Sequence, residues 1–365
     1  MKTTRRNFIK QSTLSTALIG GGLSVMDTTF DNPEVNNTSQ PEEEQKTGAQ
    51  RLPLEKLKKW EALEYGMFIH FGMSTFTGEE LDSGKASSSL YNPTKLNVGQ
   101  WIQVARDAGM KYAVLTTKHV SGHCLWPSKY TDYHVGTSGK KTDVVEAFVS
   151  ACRKYGIMPG FYYCSWDNHH LFGSGTPSVL PWSDAFTTSK YRDFQLKQVE
   201  ELLTRYGEIG EAWIDIPGVL TREGRQVQYD QIISLMPDAV VMMNNGLGEG
   251  DNLKYNYSWP TDLMAIERYL PKSDKGYNPW FKIKDNLGKE KDYYIPGEVC
   301  DPVGYEWFWR EDNKLRSVNE LLGMRLIANA RGTNLLLDVP PDKTGKIPKA
   351  TVNVLMELQK KFSQV

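Results

Sequence analysis

An excess of charge of either sign is missing from this 365-residue sequence, in which 43 Lys and Arg face 44 Asp and Glu, a net charge of −1. Such a chain raises no field that gathers phosphates, which argues against nucleic acid as a partner and favours a neutral ligand. Cysteine is scarce as well. The four present, Cys124, Cys152, Cys164 and Cys300, form no CxxC pair, which argues against a zinc ribbon, an iron–sulfur site or a disulfide scaffold and leaves their redox state open. No GxGxxG follows a strand-like run, and no GxxxxGK continues into Ser or Thr, so nucleotide-binding readings fall away. Beyond the N-terminal segment no apolar run is long enough to cross a membrane. What is present is a core: 39% hydrophobic residues with 10 Trp, 18 Tyr and 13 Phe are globular proportions.

The first residues read Thr3-Thr4-Arg5-Arg6-Asn7-Phe8-Ile9-Lys10, followed by a weakly apolar run from Leu14 to Val25. Paired arginines before Phe, an aliphatic residue and Lys resemble a bacterial twin-arginine signal, which predicts export over residues 1–26 and a periplasmic location. No cysteine near residues 20–30 offers a site for lipidation. Residues 27–50, with the acidic run Glu42-Glu43-Glu44, read as a solvated linker, and residues 51–365 as the folded domain.

From residue 51 on, short β-branched or aromatic runs alternate with segments of helical period, the pattern of a parallel α/β sheet or barrel. The expected strands are Gly66 to Phe71, Tyr112 to Lys118, Met158 to Cys164, Glu211 to Ile214, Ala239 to Met243, Asp262 to Glu267, Tyr293 to Gly297 and Asn334 to Val339. Amphipathic segments lie at Val98 to Ala108, Asp143 to Tyr155, Phe186 to Tyr206, Gln226 to Leu235, Val318 to Asn329 and Thr351 to Phe362, with none after strands five and six. Eight strands with two helices missing predict an irregular (β/α)₈ TIM-like barrel.

Barrel chemistry sits at the C-terminal ends of the strands. Those ends collect His70, His119, Tyr163 with Trp166 and Asp167, Asp215, Asn244 and Asn245, Glu267 and Glu298. Carboxylates and amides hydrogen-bond hydroxyls while aromatic faces cover the C–H faces of sugar rings, so the set points to a carbohydrate. Asp215 follows the apolar run Ala212-Trp213-Ile214, where a carboxylate needs a task or a partner. Glu267 reads equally as an ion pair of a nearby arginine, and Glu298 has the same ambiguity. Glycoside hydrolysis needs two such carboxyls. His119-x₃-His123 and His169-His170 invite a metal reading, but Gly122 interrupts the first pair, no HExxH helix is available and strand one carries one His rather than HxH. His123 and His134 read as loop or packing residues, and His169 and His170, past strand three, leave substrate reach open without favouring it over a structural role.

The runs Gly66-Met67-Phe68-Ile69-His70-Phe71-Gly72, Ala108-Gly109-Met110-Lys111-Tyr112 through Lys118-His119, and Cys124-Leu125-Trp126-Pro127-Ser128-Lys129-Tyr130 resemble the family 29 α-L-fucosidases. The resemblance continues through Asp143-Val144-Val145, Trp213-Ile214-Asp215 and Gly332-Thr333-Asn334-Leu335-Leu336-Leu337-Asp338, covering about residues 55 to 345. It implies a (β/α)₈-like barrel and a retaining, exo-acting hydrolase with a covalent glycosyl-enzyme and no cofactor or metal. Asp215 matches the nucleophile and Glu267 the acid/base, with Glu298 as the alternative acid/base. His70, Glu80, His119, Tyr163, Trp166 and Trp307 are the expected substrate-binding residues. The implied partner is an oligosaccharide or glycoconjugate, with no nucleic acid and no stable membrane span; the oligomeric state stays open. Val120, Leu81 and Asn245 depart from the family pattern, which leaves open a related exo-glycosidase for another terminal sugar, or an inactive carbohydrate-binding barrel. No C-terminal β-sandwich is expected.

Overall fold

The computed structural model describes residues 47–170, 184–244, 258–272, 274–284 and 288–365. The predicted export signal, the linker up to residue 46 and Asn245 lie outside the described residues. In chain order the elements are α1 (Leu54–Glu61), β1 (Tyr65–Ile69), the short α2 (Met73–Thr77), α3 (Val98–Asp107), β2 (Tyr112–Lys118), α4 (Val144–Tyr155), β3 (Met158–Cys164), α5 (Ser189–Arg205), β4 (Glu211–Asp215), α6 (Arg222–Leu235) and β5 (Val240–Asn244). They continue with β6 (Met264–Glu267), β7 (Trp280–Lys284), β8 (Glu290–Tyr294), β9 (Gly297–Pro302), α7 (Val318–Ala330), β10 (Asn334–Asp338) and α8 (Lys349–Phe362).

Helix α4 shows how local chemistry sets these limits. The Asp143 side chain accepts from the Glu146 N–H at its start, Val144, Val145, Phe148, Val149 and Cys152 form one buried face, and Gly156 closes it at φ 67°. A side chain at Gly156 would strain that left-handed terminus.

Eight strands form one parallel sheet in the order β5-β4-β3-β2-β1-β10-β9-β6. A parallel bridge between Met242 and Leu263 brings the two ends together, so the sheet nearly closes into the expected barrel. At that seam side chains stand in for carbonyls: Asp262 Oδ2 accepts from the Val241 N–H at 2.9 Å and Thr261 Oγ1 from the Met243 N–H at 3.1 Å.

The seventh barrel strand is not where the sequence suggested. Tyr293 belongs to β8, where it pairs with Phe281 of β7 in an antiparallel ribbon. The barrel strand is β9, beginning at Gly297 and lying between β6 and β10. Hydropathy hid it because Glu298 and Asp301 break the apolar run although both are buried.

Alternation sorts every strand into two faces. Met67, Ala113, Phe161, Tyr163, Ala212, Ile214, Ile266 and Leu337 pack under the helices, while Phe68, Val114, Tyr162, Trp213, Met242, Ala265, Cys300 and Leu336 fill the barrel interior. On β4 the inward set therefore continues through Trp213 to Asp215, at the end where barrel loops build sites.

Candidate active site

The last residues of β4, β5 and β6 are Asp215, Asn244 and Glu267. One amide joins them. Asn244 Nδ2 donates to Asp215 Oδ1 at 3.0 Å and to Glu267 Oε2 at 3.0 Å. Tyr162, facing inward from β3, donates its hydroxyl to Asp215 Oδ2 at 2.7 Å. The residue after each carboxylate is left-handed: Ile216 has φ 49° and Arg268 φ 67°. For side-chain-bearing residues this strain is of order 1–3 kcal/mol and persists only where neighbours over-determine it. Here the Ile216 N–H donates to the Asn244 carbonyl at 2.8 Å and the Arg268 N–H to the Cys300 carbonyl at 2.9 Å.

Burial, and next the charge of Glu267, push the Asp215 carboxyl up to about 7, while Tyr162, Asn244 and the Ile216 backbone oppose the shift. Burial raises Glu267 as well, with Asn244 and Arg268 opposing it and Asp301 reinforcing it. Among the described residues two side-chain donors, Tyr162 and Asn244, thus favour the anion at Asp215, whereas Asn244 alone donates to Glu267.

Around the pair stands an aromatic wall. His70 ends the inward row of β1; Asp338 Oδ1 accepts from its backbone N–H at 3.1 Å and lies 2.9 Å from its Nδ1. Trp307 tilts over His70 at 5.1 Å between ring centres, and Phe308 meets its edge at 5.2 Å. His119 stacks on Tyr162 at 5.6 Å, and its Nδ1 has no partner among the described residues. Burial holds His70 at about 3 and His119 well below its usual range, so both rings are neutral near pH 7 and can exchange hydrogen bonds with hydroxyls. Trp166 lies in the same inner cluster, its Nε1 donating to Asn168 Oδ1 at 2.7 Å. Glu80 stands at the mouth, raised by partial burial and the charges of Glu306, Glu267 and Asp338, with Arg268 opposing.

Two expected residues are not brought into this site. Tyr163 points outward beneath α5, where its hydroxyl donates to Gln198 Oε1 at 2.9 Å and Lys118 Nζ lies 4.3 Å from its ring centre. The inward tyrosine is its neighbour Tyr162, a distinction that a period of two along Met158 to Cys164 makes available from sequence. Glu298 is not at a strand end. It is the second residue of β9, in register with Asn334, the first residue of β10, and accepts from Tyr112 at 2.6 Å and Trp213 Nε1 at 3.0 Å. It sits at the N-terminal end of the barrel beside Glu211, the first residue of β4.

The histidine pairs serve the surrounding loops. Asp167 bonds buried Lys118 at 2.8 Å and His170 at 2.9 Å, while His169 Nδ1 lies 2.6 Å from the Gly84 carbonyl. His123 Nε2 lies 2.9 Å from Ser138 Oγ and 3.2 Å from Ser88 Oγ. Among the described residues no three His, Cys, Asp or Glu side chains cluster as a metal site would need. All four cysteines are buried and free.

The dyad of Glu211 and Glu298 makes its own prediction. Burial, with a smaller contribution from Glu298, raises Glu211 well above the carboxylate range; burial raises Glu298 to about 7 against the donors around it. The folded chain therefore keeps a proton that the unfolded chain releases near pH 4.5, and this contribution to stability falls as pH rises from about 4.5 through 7. Glu298→Gln removes the part of that slope that belongs to Glu298 and leaves the part that burial imposes on Glu211. The melting temperature of the variant should climb relative to the parent between pH 5 and 9, by a few degrees; a constant difference would refute the shared proton.

A sequence model of the α-L-fucosidases matches residues 79–362 of this chain. The chain belongs to the α-L-fucosidase family. α-L-Fucosidase 1 of Arabidopsis thaliana is 33% identical over 321 residues, covering 84% of this chain and 59% of the plant protein. Human plasma α-L-fucosidase is 32% identical over 264 residues, 71% of this chain and 51% of the relative. A glycoside hydrolase 29 family member from a rumen bacterium superposes with a TM-score of 0.72 at 26% identity, covering 86% of this chain and 57% of that one. The chain thus spans between half and six tenths of these relatives, and what the family fold shares with them is the barrel.

Tyr162→Phe tests the donor set. Removing the hydroxyl raises the Asp215 carboxyl further, so if Asp215 works as an anion the acidic limb of the rate profile must move to higher pH. We expect a shift of about 1 pH unit in kcat/KM and a loss of about 10-fold near neutrality. An unmoved limb would separate Asp215 from the step that limits the rate.

Proposed function

We propose that this barrel hydrolyses terminal α-L-fucosides with retention of configuration, Asp215 serving as nucleophile and Glu267 as acid/base. The Asn244 bridge carries the reading. Two oxygens each 3.0 Å from one nitrogen lie no more than about 6 Å apart, and about 5 Å apart if the two N–H bonds diverge by about 120°. Retaining glycosidases place their carboxyls about 5–5.5 Å apart, and inverting ones leave about 6.5–9.5 Å for a water.

On this reading Asp215, which accepts from Tyr162 and Asn244, takes the anion, and Glu267, which accepts from Asn244, holds the proton. An Asp215 oxygen attacks the anomeric carbon while the glycosidic C–O bond breaks and the Glu267 proton passes to the leaving oxygen. The resulting ester on Asp215 is then opened by water, which returns a proton to Glu267 as its oxygen bonds the same carbon. On this reading His70, His119 and Glu80 hold sugar hydroxyls, and Trp307 and Trp166 cover the apolar side of the ring.

A related sugar in place of fucose is the second reading. It is favoured by Leu81, which stands half exposed beside Glu80 where an aromatic would cover the sugar. Both readings meet in one experiment: hydrolysis of an aryl α-L-fucoside beside a panel of other aryl glycosides, with proton NMR of the released sugar. Fucose appearing first as the α-anomer supports the proposal; first appearance of the β-anomer would overturn retention, and turnover of a different glycoside alone would replace fucose.

A further inference from the structure

Arg268 follows Glu267 directly and keeps a left-handed backbone although it carries a long side chain. Its N–H donates to the Cys300 carbonyl of β9, the strand beside β6, and its guanidinium continues into the loop that leaves β9. There Nη2 donates to the Tyr305 carbonyl at 2.9 Å, Nη1 lies 3.6 Å from Asp301 Oδ1, and Cζ stands 5.5 Å from the ring centre of Trp307. Arg316 grips the same loop from its descending arm. Its Nε donates to the carbonyls of Gly304 at 2.8 Å and Pro302 at 3.2 Å, its Nη2 to Asp301 Oδ1 at 2.9 Å and its Nη1 to Glu320 at 2.7 Å. Both guanidinium groups therefore converge on one oxygen of Asp301 and hold carbonyls of the stretch that leads to Trp307. Their tasks differ: Arg316 belongs to the loop and folds it on itself, whereas Arg268 comes from β6 and ties it to another strand.

We propose that Arg268 is a positioning residue for the reaction: it fastens the loop that carries Trp307 to the strand end that carries Glu267, so that the wall over the sugar and the acid keep one fixed relation. The inference rests on the fucosidase reading of the barrel and on Glu267 as its acid. A planar guanidinium suits the task, since one face can lie near an indole while its edge donates to a carbonyl and faces a carboxylate. Its charge has a second effect at the same place. Burial pushes Glu267, Glu80, Asp301 and Asp338 up, and Arg268 opposes that push in all four. Arg316 shares the work at Asp301, while Glu306 adds its charge against Glu80 and Glu320 against Asp301. A nearby cation favours the anion, so losing it leaves Glu267 protonated to higher pH. The clamp and the charge are separable, because a lysine keeps the charge and lacks the fork.

The test sets Arg268→Met and Arg268→Lys beside the parent, with amide hydrogen exchange of residues 303–309 in the empty enzyme and pH profiles on an aryl α-L-fucoside. For Arg268→Met we expect exchange in that segment to quicken about 10-fold or more. KM should rise about 10-fold with kcat changed less than about 3-fold, and the basic limb of kcat/KM should move up by about half a pH unit. Arg268→Lys should return the limb to its parent position while KM and exchange stay close to those of Arg268→Met. Unchanged exchange in Arg268→Met would overturn the tie whatever the activity. A loosened loop with KM and the limb unmoved, or a uniform loss of kcat at every pH with KM unchanged, would overturn its part in the reaction. Quickened exchange in a protein whose parent form turns over no aryl fucoside would keep the tie and overturn the fucosidase reading instead.

Discussion

Asp215→Ala should lower kcat/KM on an aryl fucoside by about 10⁴-fold or more, with the fold intact. On the proposed mechanism the size follows from the step removed: without the carboxylate no glycosyl ester would form, and only binding and polarisation of the leaving group would remain. The fold should survive because removing Asp215 relieves a repulsion. Its carboxyl is raised by burial and by Glu267, so it is a liability in the empty site, and the alanine leaves Tyr162 and Asn244 facing an open mouth where water can bond them. The decisive readout is rescue. Azide entering the space left by the side chain attacks from the face that Asp215 occupied, so the product is a glycosyl azide of inverted, β configuration. A retained azide, or activity within 10-fold of the parent, would place the nucleophile elsewhere.

The expected carboxylates were legible because they close strands that read clearly. Asp215 follows an apolar run on a strand whose inward row is Glu211, Trp213 and Asp215, and Glu267 follows Met264, Ala265 and Ile266. The errors came from face and register. Tyr163 and Tyr162 are chemically alike, and only the period of two along β3 separates a hydroxyl that reaches Asp215 from one that reaches Gln198. Glu298 reads as a strand end because hydropathy starts the seventh barrel strand at Tyr293, four residues before β9 begins at Gly297. Its neighbours Glu211, Tyr112 and Trp213 come from strands distant in sequence, and no local pattern announces a polar cluster at the N-terminal end of a barrel. The bridge by Asn244 was equally hidden: strand five visibly ended in amides, but that one of them spans both carboxylates depends on β5 lying between β4 and β6 at the seam. Strain at Ile216 and Arg268 left no sequence signal either, since neither is the Gly or Asn that usually marks a left-handed residue.

Glu267 and Glu298 are separated by what each does to different leaving groups. If Glu267 gives its proton to the glycosidic oxygen, Glu267→Gly should be costly where the leaving group is basic and mild where it is not. We expect a loss of about 10³-fold or more on an oligosaccharide, whose alkoxide cannot depart unprotonated, and about 10-fold or less in the first step on a dinitrophenyl fucoside. The second step still lacks its base, so the glycosyl-enzyme should accumulate and give a burst of dinitrophenolate. Azide, needing no base, should accelerate its breakdown and yield a glycosyl azide of retained, α configuration, the opposite hand to that from Asp215→Ala. Glu298→Gln has no route to either effect: its carboxyl lies behind Tyr112 and Trp213, two residues before Cys300, whose Cα pairs with Glu267 across the sheet. That variant should show no burst, no azide product and no dependence on the leaving group, and should differ from the parent in how its stability varies with pH. A burst from Glu298→Gln with normal turnover by Glu267→Gly would exchange the two roles and refute the Asn244 bridge as the mark of the catalytic pair.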